Sequence, residues 1–177
     1  MVAIVPIVTV AIGFGAFLTL NLPDKAVCEN CTTSFAGKTI VKHFEGFSPV
    51  TYIDAAGHPT IGYGHLIRDG EEFDEPLSFT QAEGLLEKDL ASAERSVSLL
   101  AYTGVSQLQF DALVSFTFNL GHGNLEGSTL LRRVNEGDDE AAIGEFRRWV
   151  FAGGRKLRGL VLRRKAESEL YKQGSDL

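Results

Sequence analysis

The residues with the clearest chemical potential are two carboxylates, Glu45 and Asp54, with eight residues between them. Glycoside hydrolysis needs one carboxylic acid to protonate the leaving oxygen, and a second carboxylate to stabilise charge or activate water from the other side of the scissile bond. Glu45 and Asp54 are of the right type for that pair. Their spacing alone leaves the chemistry open, because two acids at such a distance are usually surface charges.

The elements around these acids predict how they are held. Apolar residues recur at helical spacing before Gly46, and Ser34 or the threonine before it can cap the start, so Glu45 is expected at a helix C-terminus. The next segment, VTYIDAAGHPTIGYGHLI, has β-branched and aromatic residues around a turn and predicts a short antiparallel hairpin. Asp54 would end one strand and Thr60 would start the other.

The rest of the chain reads as helices. Thr80 to Glu83 has the pattern of a capping box, opening a helix to about Leu100, and Ser106 to Gln109 has the same pattern before a densely apolar helix. Shorter helices are expected at about 128–135, 139–151 and 160–172. The fold class is therefore α+β, with a small hairpin lobe joined by a long helix to a helical lobe. The predicted buried face of that long helix consists of Ala82, Leu85, Leu86, Leu90, Ala93 and Val97.

The N-terminal segment, residues 1–22, carries no charged side chain and has about the length that crosses a bilayer. Glycines, threonines and a proline dilute it, and the basic residues that usually open a signal sequence are missing. An uncleaved hydrophobic signal anchor is the favoured interpretation, ahead of a cleaved signal and a buried core helix. Residues 23–36 are then a linker, and residues 37–177 form the catalytic domain.

The two cysteines, Cys28 and Cys31, stand close together just beyond the hydrophobic segment. Without a second pair of metal-ligating residues nearby, no zinc site is expected, and no metal or other cofactor is predicted elsewhere. A small local disulfide in an oxidising compartment is the favoured interpretation, and a reduced pair is the alternative.

Charge is distributed unevenly along a chain of net charge −6. An acidic cluster falls within residues 69–75, whereas Arg147 to Lys165 contains eight basic residues and no acid. The basic run suits an anionic polymer, or it is simply a solvated helix face. Nucleic acid is not expected as a partner, because the whole chain is acidic and no nucleic-acid motif is present. Peptidoglycan, which carries carboxylates, fits as well.

The segment KHFEGFSPVTYIDAAGHPTIGYGH resembles the phage-type lysozymes, or endolysins, of glycoside hydrolase family 24. Their signature is Glu, eight residues, Asp, five residues, Thr, followed by Ile-Gly-x-Gly-His. Glu45, Asp54 and Thr60 keep both spacings, and residues 61–65 complete the run. The resemblance extends through QFDALVSFTFNLGHGN, GSTLLRRVNEGD, EFRRWVFAGG and RRKAESELY, so it covers the chain from about Thr39 to Tyr171.

The resemblance implies a monomeric, lysozyme-like muramidase that cuts peptidoglycan between N-acetylmuramic acid and N-acetylglucosamine for host cell lysis. It implies that Glu45 is the general acid, that Asp54 is the base for water and that Thr60 helps position that water, with inversion at the anomeric carbon. It also implies an arginine of the last helix, Arg163 or Arg164, beside the acid.

Further roles also rest on the resemblance. His65 is expected to form a structural ion pair with Asp89. Residues 1–22 resemble the signal-anchor-release segments of some endolysins, which hold the enzyme at the inner membrane with its catalytic domain in the periplasm and then release it there. The expected substrate-binding residues are Leu66, Phe118, Asn119, Ser128 and Thr129.

Two alternatives remain from the sequence. A lytic transglycosylase uses one acid and lets a hydroxyl of the sugar displace the bond, so it needs neither Asp54 nor Thr60. A catalytically silent, membrane-tethered peptidoglycan-binding module would need none of the three residues. The intact spacing of Glu45, Asp54 and Thr60 argues against both.

Overall fold

The computed structural model describes residues 8–12, 16–20, 30–54 and 57–175. From residue 30 onward it is a mixed helical fold with a small antiparallel sheet, as the α+β class predicted. The strands are β1 (Val8–Ile12), β2 (Ala16–Leu20), β3 (Ser48–Ile53), β4 (Pro59–Gly62), β5 (His65–Leu66), β6 (Phe151–Ala152) and β7 (Arg155–Lys156). The helices are α1 (Phe35–Glu45), α2 (Phe79–Leu100), α3 (Gln107–Leu120), α4 (His122–Glu126), α5 (Thr129–Asn135), α6 (Asp139–Phe146) and α7 (Arg158–Ser175).

The described part of the N-terminal segment is an antiparallel pair of strands, in which Val8 lies opposite Leu20 and Ile12 opposite Ala16. The valines, isoleucine and threonines of these strands favour extended backbone. None of the helices in the described ranges is long and apolar enough to span a membrane. Half of the predicted linker, residues 23–29, lies outside the described residues.

The small lobe places both carboxylates. Ser34 caps α1 by accepting a hydrogen bond from the backbone of Ala36, and Gly46 ends the helix with φ of 75°, a conformation that favours glycine. Strands β3, β4 and β5 form one antiparallel sheet in that order. Glu45 is thus the last residue of α1, and Asp54 directly follows β3.

The long helix α2 joins the sheet to the rest of the molecule. Its predicted face is buried at all six positions, but its predicted capping box, Thr80 with Glu83, is wrong. The box is formed two residues earlier by Ser78 and Gln81, because Ser78 keeps extended backbone while its hydroxyl accepts from the Gln81 N–H. The second predicted box, Ser106 with Gln109, is confirmed at the start of α3.

The helical lobe is built around α3, which packs against α1, α2 and α7 and is buried from Gln109 to Thr117. Two of its elements were not expected. Helix α4 follows α3 directly, and the helix predicted to reach residue 151 ends at Phe146, before the hairpin β6–β7. Gly153 and Gly154 both have positive φ there, which lets the chain reverse between the two strands.

Candidate active site

Glu45 and Asp54 line one cavity of about 370 Å³, to which α1, the β3–β5 sheet, α2 and α3 all contribute. Volume alone would favour two other hollows, one of about 530 Å³ beside Lys172 and one of about 500 Å³ beside Tyr102, but neither Glu45 nor Asp54 lines them. The smaller cavity is therefore the candidate active site, which we call the cleft. Its lining residues are Glu45, Asp54, Gly64, Leu66, Arg68, Asp89, Phe118 and Asn119.

The Glu45 carboxylate is held from one side by Arg163. Arg163 Nη1 donates to Glu45 Oε1 at 2.6 Å, and the arginine side chain is almost wholly buried while that of Glu45 is 23% exposed. A guanidinium has donors only, so Oε1 must accept and a proton on this carboxyl must sit on Oε2. A β-carbon on Gly64 would lie 3.5 Å from that second oxygen. The glycine therefore leaves space beside the oxygen that can carry a proton.

Behind Glu45 lies a buried charge network. Arg163 also donates to Glu167, at 3.1 Å, and to the Ser115 carbonyl, at 3.2 Å, and the Ser115 hydroxyl donates to Glu167. Arg164 Nε lies 3.2 Å from Glu167 as an ion pair without hydrogen-bond alignment. Burial raises the pKa of the Glu167 carboxyl, and the two guanidiniums act in the opposite direction. Of the two arginines proposed from sequence, Arg163 is the one in contact with Glu45.

Asp54 and Thr60 are tied together by the backbone of His58. The His58 N–H donates to Asp54 Oδ1 at 2.8 Å, while the His58 carbonyl accepts from the Asp54 N–H and from the Thr60 hydroxyl. Thr60 is buried in β4 opposite Tyr52. His58 was not identified as a site residue from the sequence. The turn AAGHP could have indicated it, because closing such a turn requires hydrogen bonds between the residues on its two sides.

His65 is brought together with Asp89, as expected, and with one further carboxylate. Its Nδ1 lies 2.8 Å from Asp89 and its Nε2 lies 3.1 Å from Glu71. Hydrogen bonds from the Arg68 N–H and from His65 lower the pKa of Glu71. The buried imidazole thus links β5 to α2 and to the loop after β5.

The predicted substrate-binding residues divide into two groups. Leu66, Phe118 and Asn119 line the cleft, whereas Ser128 and Thr129 lie at the start of α5 and are not among its described lining residues. The Ser128 hydroxyl caps α5, accepting from the Leu131 N–H and donating to the Leu125 carbonyl. Helix capping accounts for Ser128 without a ligand.

Cys31 is disulfide-bonded. Cys28, the partner predicted from sequence, lies outside the described residues. In the ranges that the structure describes, no group of three or more histidine, cysteine or acidic side chains is arranged to hold a metal ion.

Comparison with known proteins shows which family the chain resembles. The Phage lysozyme family model matches residues 42–167, which include Glu45, Asp54, Thr60 and Arg163. The SAR-endolysin of Enterobacteria phage PA-2 is 38% identical over 128 residues, covering 71% of this chain and 76% of that protein. A crystal structure of a P22 lysozyme mutant superposes with a TM-score of 0.73 at 34% identity, covering 80% of this chain and 99% of that one.

Some relatives are longer. The endolysin of Bacillus phage PZA is 39% identical over 144 residues, which cover 80% of this chain. This chain spans about half the length of the PZA and B103 endolysins, since the alignments cover 55% and 54% of them.

Proposed function

The chain belongs to the phage lysozyme family. From that premise we propose that it is an endolysin that lyses the host cell. It hydrolyses the β-1,4 bond between N-acetylmuramic acid and N-acetylglucosamine of peptidoglycan. The observation that carries the proposal is that Glu45, at the end of α1, and Asp54, directly after β3, line the same cleft. A third carboxylate of the cleft, Asp89, is paired with His65, so Glu45 and Asp54 are the two that can supply an acid and a base for glycoside hydrolysis.

In this mechanism Glu45 is the general acid. Its proton, carried on Oε2, passes to the glycosidic oxygen as the bond from that oxygen to the anomeric carbon breaks. The carboxylate then gains a full negative charge 2.6 Å from Arg163 Nη1. Arg163 therefore holds the carboxyl in position before the reaction and stabilises the charge that forms on it.

Asp54 is the base. It takes a proton from a water molecule, whose oxygen attacks the anomeric carbon on the face opposite the leaving group, so the configuration inverts. Such a reaction needs roughly 6.5–9.5 Å between the two carboxyl groups to leave room for the water. The His58 N–H fixes one oxygen of Asp54. Thr60 donates its proton to the His58 carbonyl, which leaves its oxygen lone pairs to accept from the water.

The substrate is peptidoglycan, bound by a monomer. Leu66 and Phe118 offer apolar contact to the sugar rings, and Asn119 offers a polar contact. Exposed basic residues of the Arg147–Lys165 run, including Arg155 and Lys156, are complementary in charge to the carboxylates of the peptide stems.

For localisation we propose that residues 1–22 hold the protein at the inner membrane with its catalytic domain in the periplasm, followed by release into the periplasm. The uncharged segment supports this, as does the identity with proteins named SAR-endolysins. Full-length protein should move from the membrane to the periplasmic fraction on depolarisation with Met1 still attached. A soluble form that begins near residue 16 or 26 by mass spectrometry would instead establish a cleaved signal.

The experiment that tests the activity is digestion of purified peptidoglycan followed by mass spectrometry of the products. Wild-type protein should release fragments with free reducing ends, and Glu45→Gln should release none while keeping its fold. Glu72→Gln makes the same change at an exposed position and should behave as wild type. Anhydro-muramic ends would identify a lytic transglycosylase, and binding without cleavage would identify a silent module. Either result would refute the hydrolase.

A further inference from the structure

Asn119 lies where the cleft meets a buried cation. It is near the C-terminal end of α3, lines the same cleft as Glu45, and its Oδ1 accepts a hydrogen bond from Arg164 Nη2 at 2.6 Å. Arg164 is wholly buried. The amide of Asn119 is thus hydrogen-bonded to the interior of the helical lobe on one side and borders the cleft on the other.

The contact determines which end of the amide faces inward. A guanidinium has donors only, and an asparagine amide has an acceptor at one end and two donors at the other. Burial lowers the pKa of Arg164 to about 10, so the side chain is a cation at neutral pH. If the Asn119 amide were flipped, the N–H donors of its NH2 group would face the N–H donors of the guanidinium. The amide oxygen must therefore face Arg164, and no described residue accepts a hydrogen bond from Asn119 Nδ2.

Arg164 is itself held firmly. Its guanidinium lies over the ring of Phe116, with 4.9 Å between the guanidinium carbon and the ring centroid, and it forms an ion pair with the buried Glu167. Its Nη1 has no hydrogen-bond partner among the described residues. Its charge compensates that of Glu167, and its hydrogen bond gives the Asn119 amide a fixed direction.

We propose that Arg164 is a positioning residue that locks the Asn119 amide with its NH2 group toward the cleft, so that Asn119 donates to an acetamido carbonyl oxygen of the glycan. The proposal rests on the proposed function, because both sugars of the substrate carry acetamido groups. An unlocked amide would present its oxygen to the same carbonyl part of the time and repel it.

The first test is Asn119→Asp, with KM and kcat measured from reducing ends released from soluble glycan strands. Aspartate has the shape of asparagine and still accepts from Arg164, but it has no donor. Loss of a hydrogen bond corresponds to a factor of about 5–10 in binding. KM should therefore rise about 5- to 10-fold, with kcat within about twofold and the melting temperature unchanged or higher. Asn124→Asp makes the same change at an exposed position outside the cleft and should leave KM unchanged.

The second test asks whether Arg164 acts through Asn119. Arg164→Lys keeps the positive charge but loses the planar guanidinium, so the Asn119 amide can adopt both orientations. If half of the molecules then have the NH2 group toward the cleft, KM should rise about twofold. In the Asn119→Asp background the same change should leave KM unaltered, because a carboxylate has no orientation to fix.

The outcomes separate the two levels of the proposal. A wild-type protein that releases no reducing ends would remove the proposed function and this inference with it. If the wild type is active and the KM of Asn119→Asp is within twofold of the wild-type KM, the inference is overturned and the proposed function stands. Equal factors for Arg164→Lys in both backgrounds would show that Arg164 acts on the fold and not on the amide.

Discussion

Glu167→Gln probes the buried network behind the acid. Glu167 is wholly buried on α7 and lies against two guanidiniums, those of Arg163 and Arg164, while also accepting from the Ser115 hydroxyl. Glutamine keeps the shape and an acceptor oxygen but removes the charge. The two arginines are then left with Glu45 as their remaining carboxylate among these contacts.

The expected cost follows from that loss. Removing one partner of a buried ion pair destabilises a protein by about 3–5 kcal/mol, because a charge is left without compensation in a poorly solvated place. For a chain of this size each kcal/mol lowers the melting temperature by roughly 2–4 °C, so a fall of roughly 6–20 °C is expected. Such a loss is a large part of the free energy of unfolding of an ordinary domain.

The assay is urea denaturation at neutral pH, followed by circular dichroism and tryptophan fluorescence so that two-state behaviour is checked. The matched control is Glu169→Gln, which makes the same change two residues further along α7 at an exposed position. The control should stay within about 0.5 kcal/mol of wild type. If the two variants were equally stable, the charge of Glu167 would not be what balances the buried arginines.

Two further changes probe the residues around the site. The pKa of Glu71 is lowered chiefly by the Arg68 N–H, so its ionised form stabilises the fold above its ordinary pKa of about 4.5 and the effect is lost as pH falls through the lowered value. Glu71→Gln should therefore lower the melting temperature more at pH 7 than at pH 3, and equal losses would contradict this. Gly64→Ala should cost about 1–3 kcal/mol of stability at φ of 85° and also lower kcat, because its β-carbon would lie 3.5 Å from Glu45 Oε2. Gly70→Ala, also at φ of 85° but in open space, should cost similar stability at unchanged kcat, and equal kcat for both variants would contradict a role for space beside Glu45.

The local positions of the two carboxylates were predictable because they follow from short-range rules. A serine cap, apolar residues at helical spacing and a glycine at the end define α1 and put Glu45 at its last position. Alternating residues around AAGHP define the hairpin and put Asp54 and Thr60 on its two sides. Each rule acts over a few residues, so the sequence contains the information directly.

Long-range contacts were not predictable in the same way. Arg163 reaches Glu45 across 118 positions, and Glu167 reaches Ser115 across 52. No local pattern distinguishes Arg163 from Arg164, and it is the packing of α7 against α1 and α3 that decides that one meets Glu45 and the other Asn119. The family resemblance supplied an arginine beside the acid, but not which one.

Other differences arose where two local rules compete. Ser78 and Thr80 each precede a suitable residue by three positions, and the chain uses the earlier pair. The Ser128 hydroxyl caps α5, and the substrate-binding role expected of Ser128 stays a prediction. An apolar segment with β-branched residues is compatible with a helix or with strands, which is why hydropathy did not predict the pairing of Val8–Ile12 with Ala16–Leu20.

The most direct test of Glu45 as acid and Asp54 as base is the configuration of freshly formed reducing ends, observed by proton NMR during digestion before mutarotation equilibrates them. Water attack from the face opposite the leaving group converts a β-linked chain into α-configured ends. Wild-type protein should therefore produce the α anomer first, and Asp54→Asn should produce the same anomer far more slowly. Ends that appear first in the β configuration would show that Asp54 is a nucleophile or a bystander and would contradict the inverting mechanism.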